Sequence, residues 1–194
     1  IGIDLGIKDL AIISDGTIYK NINKSSKVNK LEKKKRRLQR HVSRKYLINK
    51  EGERYKKTCN ILKIEKQLLK ISRKLTNIRH NYLHQVTSEI VNRKPKFIVL
   101  EDLNVRGMMK NKHLSKAVQQ QLFYEFRRQI EYKCNWSNLV FILADRWFPS
   151  TKLCSCCGQI KKDLKLSDRT YQCECGNKID RDYQASLNLK NYGD

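Results

Sequence analysis

Ile1-Gly2-Ile3-Asp4-Leu5-Gly6 reads as a buried β-strand ending in glycine, with one carboxylate at its centre. The apolar run resumes from Leu10 to Ser14. Asp15-Gly16 is then a two-residue hairpin signal, and Thr17 to Tyr19 starts a further strand. An aspartate inside a hydrophobic strand is costly unless a cation, a hydrogen-bond network or a metal ion offsets its charge. Asp4 therefore requires a partner from elsewhere in the chain.

The 194 residues suffice for one sizeable core and a small appendage. The chain opens without methionine and directly inside a strand, so a longer protein with an upstream part is expected. Its 42 Lys+Arg against 19 Asp+Glu leave a formal net charge of +23. Such an excess speaks to partners, with nucleic acid first and an anionic membrane surface second. No apolar run approaches the roughly 20 residues that span a bilayer, and no signal-peptide pattern is present. Of the seven cysteines, four form two close pairs near the C-terminus. In a basic, lysine-rich chain this favours a metal site in a reducing compartment.

From Asn23 to Lys50 cations dominate, and Lys33, Lys34, Arg36, Arg37, Arg40 and Arg44 are the expected nucleic-acid contacts. Val28, Leu31, Leu38 and Val42 keep an incomplete helical stripe, with Lys35 where an apolar residue would fit. The lone acid, Glu32, cannot neutralise this helix through i,i+4 pairs, so its basic face is expected along a phosphate backbone. After a break at Asn49-Lys50-Glu51-Gly52, a long helix runs to about Asn92. Its seam is Ile61, Ile64, Leu68, Ile71, Leu75, Ile78 and Tyr82. It is expected to fold back on the basic helix as an antiparallel hairpin. His80 and His84 share the i,i+4 spacing of a metal pair, but no acid accompanies them and they read as surface residues.

Lys94-Pro95-Lys96 ends the helix. Phe97 to Leu103 reads as the next strand, again apolar and again reaching a carboxylate, Glu101; Asp102 should point the other way. Gly107 to His113 is a basic loop. Ser115 is placed to N-cap one helix through Val118, Leu122, Phe126 and Ile130. Leu139 to Leu143 reads as another buried strand, followed by Trp147 and Phe148, which either stack on a base or pack under the cysteine module.

Cys154-Ser155-Cys156-Cys157-Gly158 and Cys173-Glu174-Cys175-Gly176 read as two knuckles. Cys154, Cys157, Cys173 and Cys175 are the expected ligands of one structural Zn2+ closed by four thiolates. Cys156 is a further candidate, and disulfide pairing is the competing reading. With few apolar residues nearby, the metal would supply most of this module's folding free energy.

Ile179 to Leu189 follows the second knuckle, with a short helix expected to start near Asp182. An aspartate there is a favoured first-turn residue or a third metal ligand. Asp4, Glu101 and Asp182 then form an all-oxygen set suited to Mg2+ or Mn2+. Two such ions about 4 Å apart support phosphodiester hydrolysis, which agrees with a polyanionic substrate.

The ordered motifs resemble the C-terminal nuclease half of the TnpB/OrfB proteins of insertion sequences, compact relatives of type V CRISPR effectors. The matching pieces are Gly2-Ile3-Asp4-Leu5-Gly6, the basic helical hairpin and Val99-Leu100-Glu101-Asp102-Leu103. They continue with Phe148-Pro149-Ser150-Thr151-Lys152 before the first knuckle and Asp180-Arg181-Asp182-Tyr183-Gln184-Ala185-Ser186. The resemblance implies an α/β, RuvC/ribonuclease-H-like mixed sheet. Its core would comprise residues 1–22, 94–150 and 177–194, with a helical-hairpin insertion over 23–93 and a zinc ribbon over 151–176. It also implies an RNA-guided DNA endonuclease, acting in the prokaryotic cytoplasm and at the nucleoid when bound to DNA. Asp4, Glu101 and Asp182 match the catalytic acids, and Asp180 is the alternative to Asp182. Gln184 stands where the family often has asparagine, and the second knuckle is C-x-C where C-x-x-C is frequent. The family's N-terminal part, which binds guide RNA and reads the site beside the target, is outside this sequence. Two other readings stand against it. One is a zinc-ribbon nucleic-acid-binding module with an inactive site. The other is an actin-like ATPase, which shares the opening motif but has two glycine-rich phosphate loops missing here.

Overall fold

Residues 1–165 and 168–194 are described by a computed structural model. The opening stretch is β1 (Gly2–Leu5), paired antiparallel with β2 (Asp9–Ile13), which pairs antiparallel with β3 (Ile18–Lys20). The hairpin predicted at Asp15-Gly16 forms, but with a longer connection than two residues. Gly16 N–H bonds to Ile13 O at 2.9 Å and Ile13 N–H to Thr17 O at 2.9 Å. Gly16 has φ +88°, so a turn is followed by a left-handed glycine bulge. Arg93 ties the hairpin down through Asp15 and, at 2.9 Å, the Tyr19 hydroxyl.

On its other side β1 pairs in parallel with β6 (Phe97–Glu101), and β6 pairs in parallel with β7 (Val140–Ala144). The strand order β3-β2-β1-β6-β7 is the mixed sheet of a ribonuclease-H-like fold. β7 is less buried than the sequence suggests, with Val140 57% exposed, because it is the sheet edge and has no strand beyond it among the described residues.

Two compact units result. The first, Ile1–Asn21 with Leu83–Asp194, contains this sheet. It also holds α3 (Val105–Lys110), α4 (Ser115–Gln121), α5 (Phe123–Trp136) and α6 (Arg181–Gly193). The single helix expected from Ser115 is two helices. Ser115 is the first residue of α4 rather than its cap, and Leu122 breaks the pair with φ +57°. The break lets buried Gln121 donate to Gly6 O at 2.7 Å while Phe123, Phe126 and Ile130 stay buried.

The second unit is Ile22–Tyr82. It holds α1 (Ser26–Ile48), the small hairpin β4 (Lys50–Glu51) and β5 (Arg54–Tyr55), and most of α2 (Cys59–Asn92). Val28, Ile71 and Leu75 form its core with Ile22, Leu31, Leu38 and Ile78 packed around them. Arg79 bonds to Glu32 at 2.8 Å and Tyr46 to Glu65 at 2.5 Å, so the helices run antiparallel as expected. This compact unit ends at Tyr82, and buried Leu83, Val86, Ile90 and Val91 further along α2 belong to the sheet-bearing unit. Among the described residues no helix is long and apolar enough to cross a membrane.

Candidate metal centres

Strand alternation determines which side chains meet. On β1, Gly2 and Asp4 share a face; on β6, Phe97, Val99 and Glu101 do. The register Gly2↔Val99 and Ile3↔Leu100 makes the next two positions, Asp4 and Glu101, neighbours at the C-terminal ends of parallel strands. α6 covers this face, with Leu189 buried against Phe97, Val99 and Ala144. Gly2 permits the approach: a Cβ there would lie 2.2 Å from Ser186 O and 2.3 Å from Lys190 N. Two strand positions beyond Gly2 correspond to about one helical turn, which directs Asp4 towards Asp182 in the first turn of α6.

The electrostatics agree with this placement. Burial pushes the Asp4 carboxyl well above its usual range, and the charges of Glu101 and Asp182 add to the rise, with Arg181 offsetting part of it. Burial likewise raises Glu101, helped by Asp102. Among the described residues neither Asp4 nor Glu101 forms an ion pair. Asp102, pointing the other way, is paired with Arg127 at 3.0 Å and Arg146 at 2.5 Å. Asp182 receives Arg181 at 3.1 Å and Arg169 at 3.8 Å. Asp180 has a different task. It is the N-cap of α6, accepting from Asp182 N–H at 3.0 Å and Tyr183 N–H at 3.1 Å. Asp4 and Glu101, neighbours at the strand ends with no ion pair of their own among the described residues, are oxygen donors of the kind that hard divalent ions take, whereas Asp182 is held by arginines.

The cysteine module is a second centre. Single ligand atoms of Cys154, Cys157, Cys173 and Cys175 all lie within 4.8 Å of one another, a group able to hold zinc. Cys154 Sγ and Cys175 Sγ are 3.7 Å apart, and Cys157 Sγ and Cys173 Sγ 3.5 Å. Tetrahedral zinc with bonds of about 2.3 Å separates sulfurs by about 3.8 Å, whereas a disulfide needs about 2.05 Å. All seven cysteines are unbonded, and Cys156 is exposed and outside the group. Burial tends to raise the Cys154 thiol, but backbone N–H donors of Cys157 and Cys156 and the Asn177 amide outweigh it and bring it to about 6. Such donors suit a metal-bound thiolate.

The short second knuckle is accommodated within its own loop. Cys154 N–H bonds to Gln159 O and Cys173 N–H to Asn177 O, each at 2.9 Å. In both loops that acceptor follows a left-handed glycine, Gly158 or Gly176. The missing residue is taken out between the cysteines. β8 (Thr170–Gln172) and β9 (Lys178–Asp180) pair beneath the knuckles, so Asp180 ends a ribbon strand and begins α6. Residues 166–167, in the polar middle between the knuckles, lie outside the described residues. Tyr171 is the module's buried aromatic, with its hydroxyl on Lys152 O at 3.2 Å.

Sequence reasoning missed the bolt between these centres. Gln184, fully buried, accepts from Ser155 Oγ at 2.9 Å and Asn177 Nδ2 at 3.3 Å, and donates to Leu153 O at 2.7 Å. Asn188 donates to Ser150 O at 2.7 Å and Leu153 O at 2.6 Å. Both lie on one α6 face, at i and i+4, which was the available signal. Phe148 packs on Tyr192, with ring centroids 4.8 Å apart, whereas Trp147 is 86% exposed. Lys33, Arg36, Arg37 and Arg40 line a groove on α1, and Lys34 and Arg44 are exposed on the same helix.

A mixed ribonuclease-H-like sheet with acids at its parallel strand ends, together with a four-thiol ribbon able to hold zinc, defines a RuvC-like fold. Comparison with known proteins agrees. Residues 1–112 match the OrfB_IS605 family, described as "Probable transposase", and residues 123–189 match the Cas12f1-like TNB domain. The chain belongs to the OrfB_IS605 (TnpB/OrfB) family. A Streptomyces pristinaespiralis protein named "Putative RNA-guided DNA endonuclease" is 34% identical over 97% of this chain and 44% of its own length. The "Putative RNA-guided DNA endonuclease InsQ" of Escherichia coli (strain K12) is 30% identical over 90% of this chain and 44% of its own. The chain thus spans less than half the length of these relatives. The fold is that of Cas12f1 in a complex with sgRNA and target DNA (TM-score 0.65, 18% identity), covering 98% of this chain and 49% of that one.

Proposed function

We propose that this chain is the nuclease half of an RNA-guided DNA endonuclease and that Asp4, Glu101 and Asp182 form its hydrolytic site. The observation that carries this reading is the buried, unpaired state of Asp4 beside Glu101 and the start of α6. A fold that buries such a carboxyl with no ion pair of its own, and Arg181 offsetting only part of the cost, is suited to an external cation. Two Mg2+ or Mn2+ ions held there would activate water and stabilise the leaving oxygen of a DNA phosphodiester. The chain's own residues do the rest. Asp4 and Glu101 hold their oxygens on rigid neighbouring strands, and Asp182 brings a third carboxylate from α6. Asp180 fixes the helix start rather than binding metal. Lys33, Lys34, Arg36, Arg37, Arg40 and Arg44 neutralise phosphates along α1, and Trp147 offers an exposed ring for a displaced base. The ribbon, spanning 151–176, holds one structural Zn2+ and braces α6 through Gln184. Guide RNA and DNA are the partners of the full-length protein, working in the cytoplasm at the nucleoid.

The test uses the full-length protein with its guide. Asp4→Ala and Glu101→Ala abolish Mg2+-dependent cleavage and leave nucleic-acid binding intact. Asp182→Asn does the same, while Asp180→Asn, which can still cap, retains cleavage. Undiminished cleavage by Asp4→Ala removes the proposal.

A further inference from the structure

The end of β1 is held from outside the sheet. β1 stops at Leu5, and the last ladder positions it shares with β6 are Ile3 and Leu100. Asp4 and Glu101 therefore stand just past that ladder, and only β2 continues opposite Asp4 and Leu5. Gly6 to Lys8 then turn the chain into β2. Two buried side-chain amides grip this turn on successive carbonyls. Gln121 donates from Nε2 to Gly6 O at 2.7 Å, and Asn21 from Nδ2 to Ile7 O at 2.8 Å. Asn21 comes from the end of the neighbouring hairpin, whereas Gln121 is 115 residues away at the end of α4. Of Gln119, Gln120 and Gln121, only the last is buried. Its approach has a backbone cost. Leu122, which carries a Cβ, takes the left-handed conformation at φ +57° and ψ +42° and divides what would be one helix. Such strain persists only where its surroundings over-determine it, and it clusters at functional sites. The joint also touches the strand ends. Leu5, Leu100 and Glu101 share a cleft of about 40 Å³ with Phe123, Tyr124 and Arg127 from the start of α5.

We infer that Gln121 is a positioning residue for the hydrolytic site: through Gly6 O it fixes the end of β1, and with it the place of the Asp4 carboxylate beside Glu101. This rests on the reading of Asp4 and Glu101 as metal ligands given above. Gly6 is two residues from Asp4, so a turn free to shift would carry the carboxylate with it. Divalent magnesium demands near-ideal placement of its oxygen ligands, and groups that orient such ligands count strongly in metal affinity. The residue type fits the task. A neutral amide donates to the carbonyl without adding charge beside the acids. A lysine or arginine reaching the same carbonyl would bring a cation that competes with the metal for Asp4. An apolar side chain of the same length would fill the space and leave Gly6 O without this donor.

The test is Mn2+ binding by calorimetry to the full-length protein with its guide, as wild type, Gln121→Met and Gln129→Met. Methionine keeps the length of glutamine and removes its donor. Gln129 is the control: it is fully buried and bonds at 2.9 Å to both Thr87 and Glu125, tying α5 to α2. Gln121→Met is expected to bind Mn2+ about 10–100-fold more weakly. It should lower kcat with KM for DNA unchanged, and recover part of its rate at high Mn2+. Gln129→Met should lower the thermal midpoint at least as far and keep wild-type Mn2+ affinity. Should Gln121→Met fail to fold, Gln121→Glu, which keeps the shape and loses the amide donor, carries the comparison. Wild-type Mn2+ affinity in a folded Gln121 variant, or an equal loss in Gln129→Met, overturns the inference. Wild-type Mn2+ binding that survives Asp4→Ala instead removes the reading of the hydrolytic site on which the inference rests.

Discussion

Asp4 lies on the α6-facing side of β1, where burial and then the charges of Glu101 and Asp182 push its carboxyl well above the usual 3.8. A raised folded value means that the native state holds the proton more tightly than the unfolded chain. Stability from this group is fully present below pH 3.8 and is lost as pH rises through the folded value. The metal-free protein therefore becomes less stable towards neutral pH on account of Asp4. Asp4→Asn removes that slope. At pH 7 with chelator, it should stabilise the fold by about 1–3 kcal/mol, the usual penalty of an uncompensated buried polar group. Below pH 3.8 the gain should vanish, and Mg2+ should stabilise only the wild type. Urea unfolding at several pH values, with and without Mg2+, measures this. A variant weaker than wild type at pH 7 would show that the carboxylate already has its compensation within the protein. A second residue-scale outcome concerns zinc. Cys156→Ser should leave one zinc per chain by elemental analysis. Cys175→Ser should lose it, because a four-thiol site supplies the module's folding free energy, about 10–16 kcal/mol in small zinc peptides.

At the scale of elements, α6 is the part on which both centres converge. It meets β1 through Gly2, starts at the end of ribbon strand β9, and is pinned to the ribbon by Gln184 and Asn188. A methyl at position 2 would collide with backbone atoms of Ser186 and Lys190, which cannot rotate aside. Gly2→Ala should therefore lift α6 from the sheet, destabilise the fold by about 2–4 kcal/mol as overpacking does at its upper end, and reduce cleavage with it. A denaturation midpoint within error of wild type would show that the helix can shift at little cost. The acids at positions 4 and 101 were legible in the sequence because a carboxylate interrupts an apolar run, a local contradiction that needs no partner to be seen. The knuckles were legible because glycine follows each cysteine pair. The break at Leu122 was not. No glycine or proline marks it, and its cause is the distant carbonyl of Gly6 that Gln121 must reach. The exposure of β7 was hidden for a similar reason, since Val140 has the composition of a core residue and only sheet order makes it an edge. That Asp180 caps α6 was not legible either, because two aspartates flanking one arginine leave the helix start open by one turn position.

At the scale of the whole molecule, one helix serves two cores. α2 is continuous from Cys59 to Asn92, and its apolar seam has no sequence break at Tyr82, which is why the sequence placed the boundary at its end. The division appears in what each part buries. Residues up to Ile78 pack a small hairpin core of Val28, Ile71 and Leu75 with partly buried neighbours. From Leu83 onward, Leu83, Val86, Ile90 and Val91 are buried within the sheet-bearing unit, and Thr87 bonds to Gln129 at 2.9 Å. Local stability follows buried apolar contact and not helical continuity. Backbone amides of 64–78 should thus exchange with deuterium through opening of the hairpin, while those of 86–91 should exchange only with the far larger sheet core. Native-state hydrogen exchange should show a step in protection near Tyr82 within a single unbroken helix. Charge sharpens the step, because the hairpin's crowded lysines and arginines repel one another at low salt. Raising ionic strength, or adding duplex DNA, should protect 64–78 and leave 86–91 unchanged. Uniform protection along α2, insensitive to salt, would mean that the helix opens as one piece and that the hairpin is not a separately stable unit.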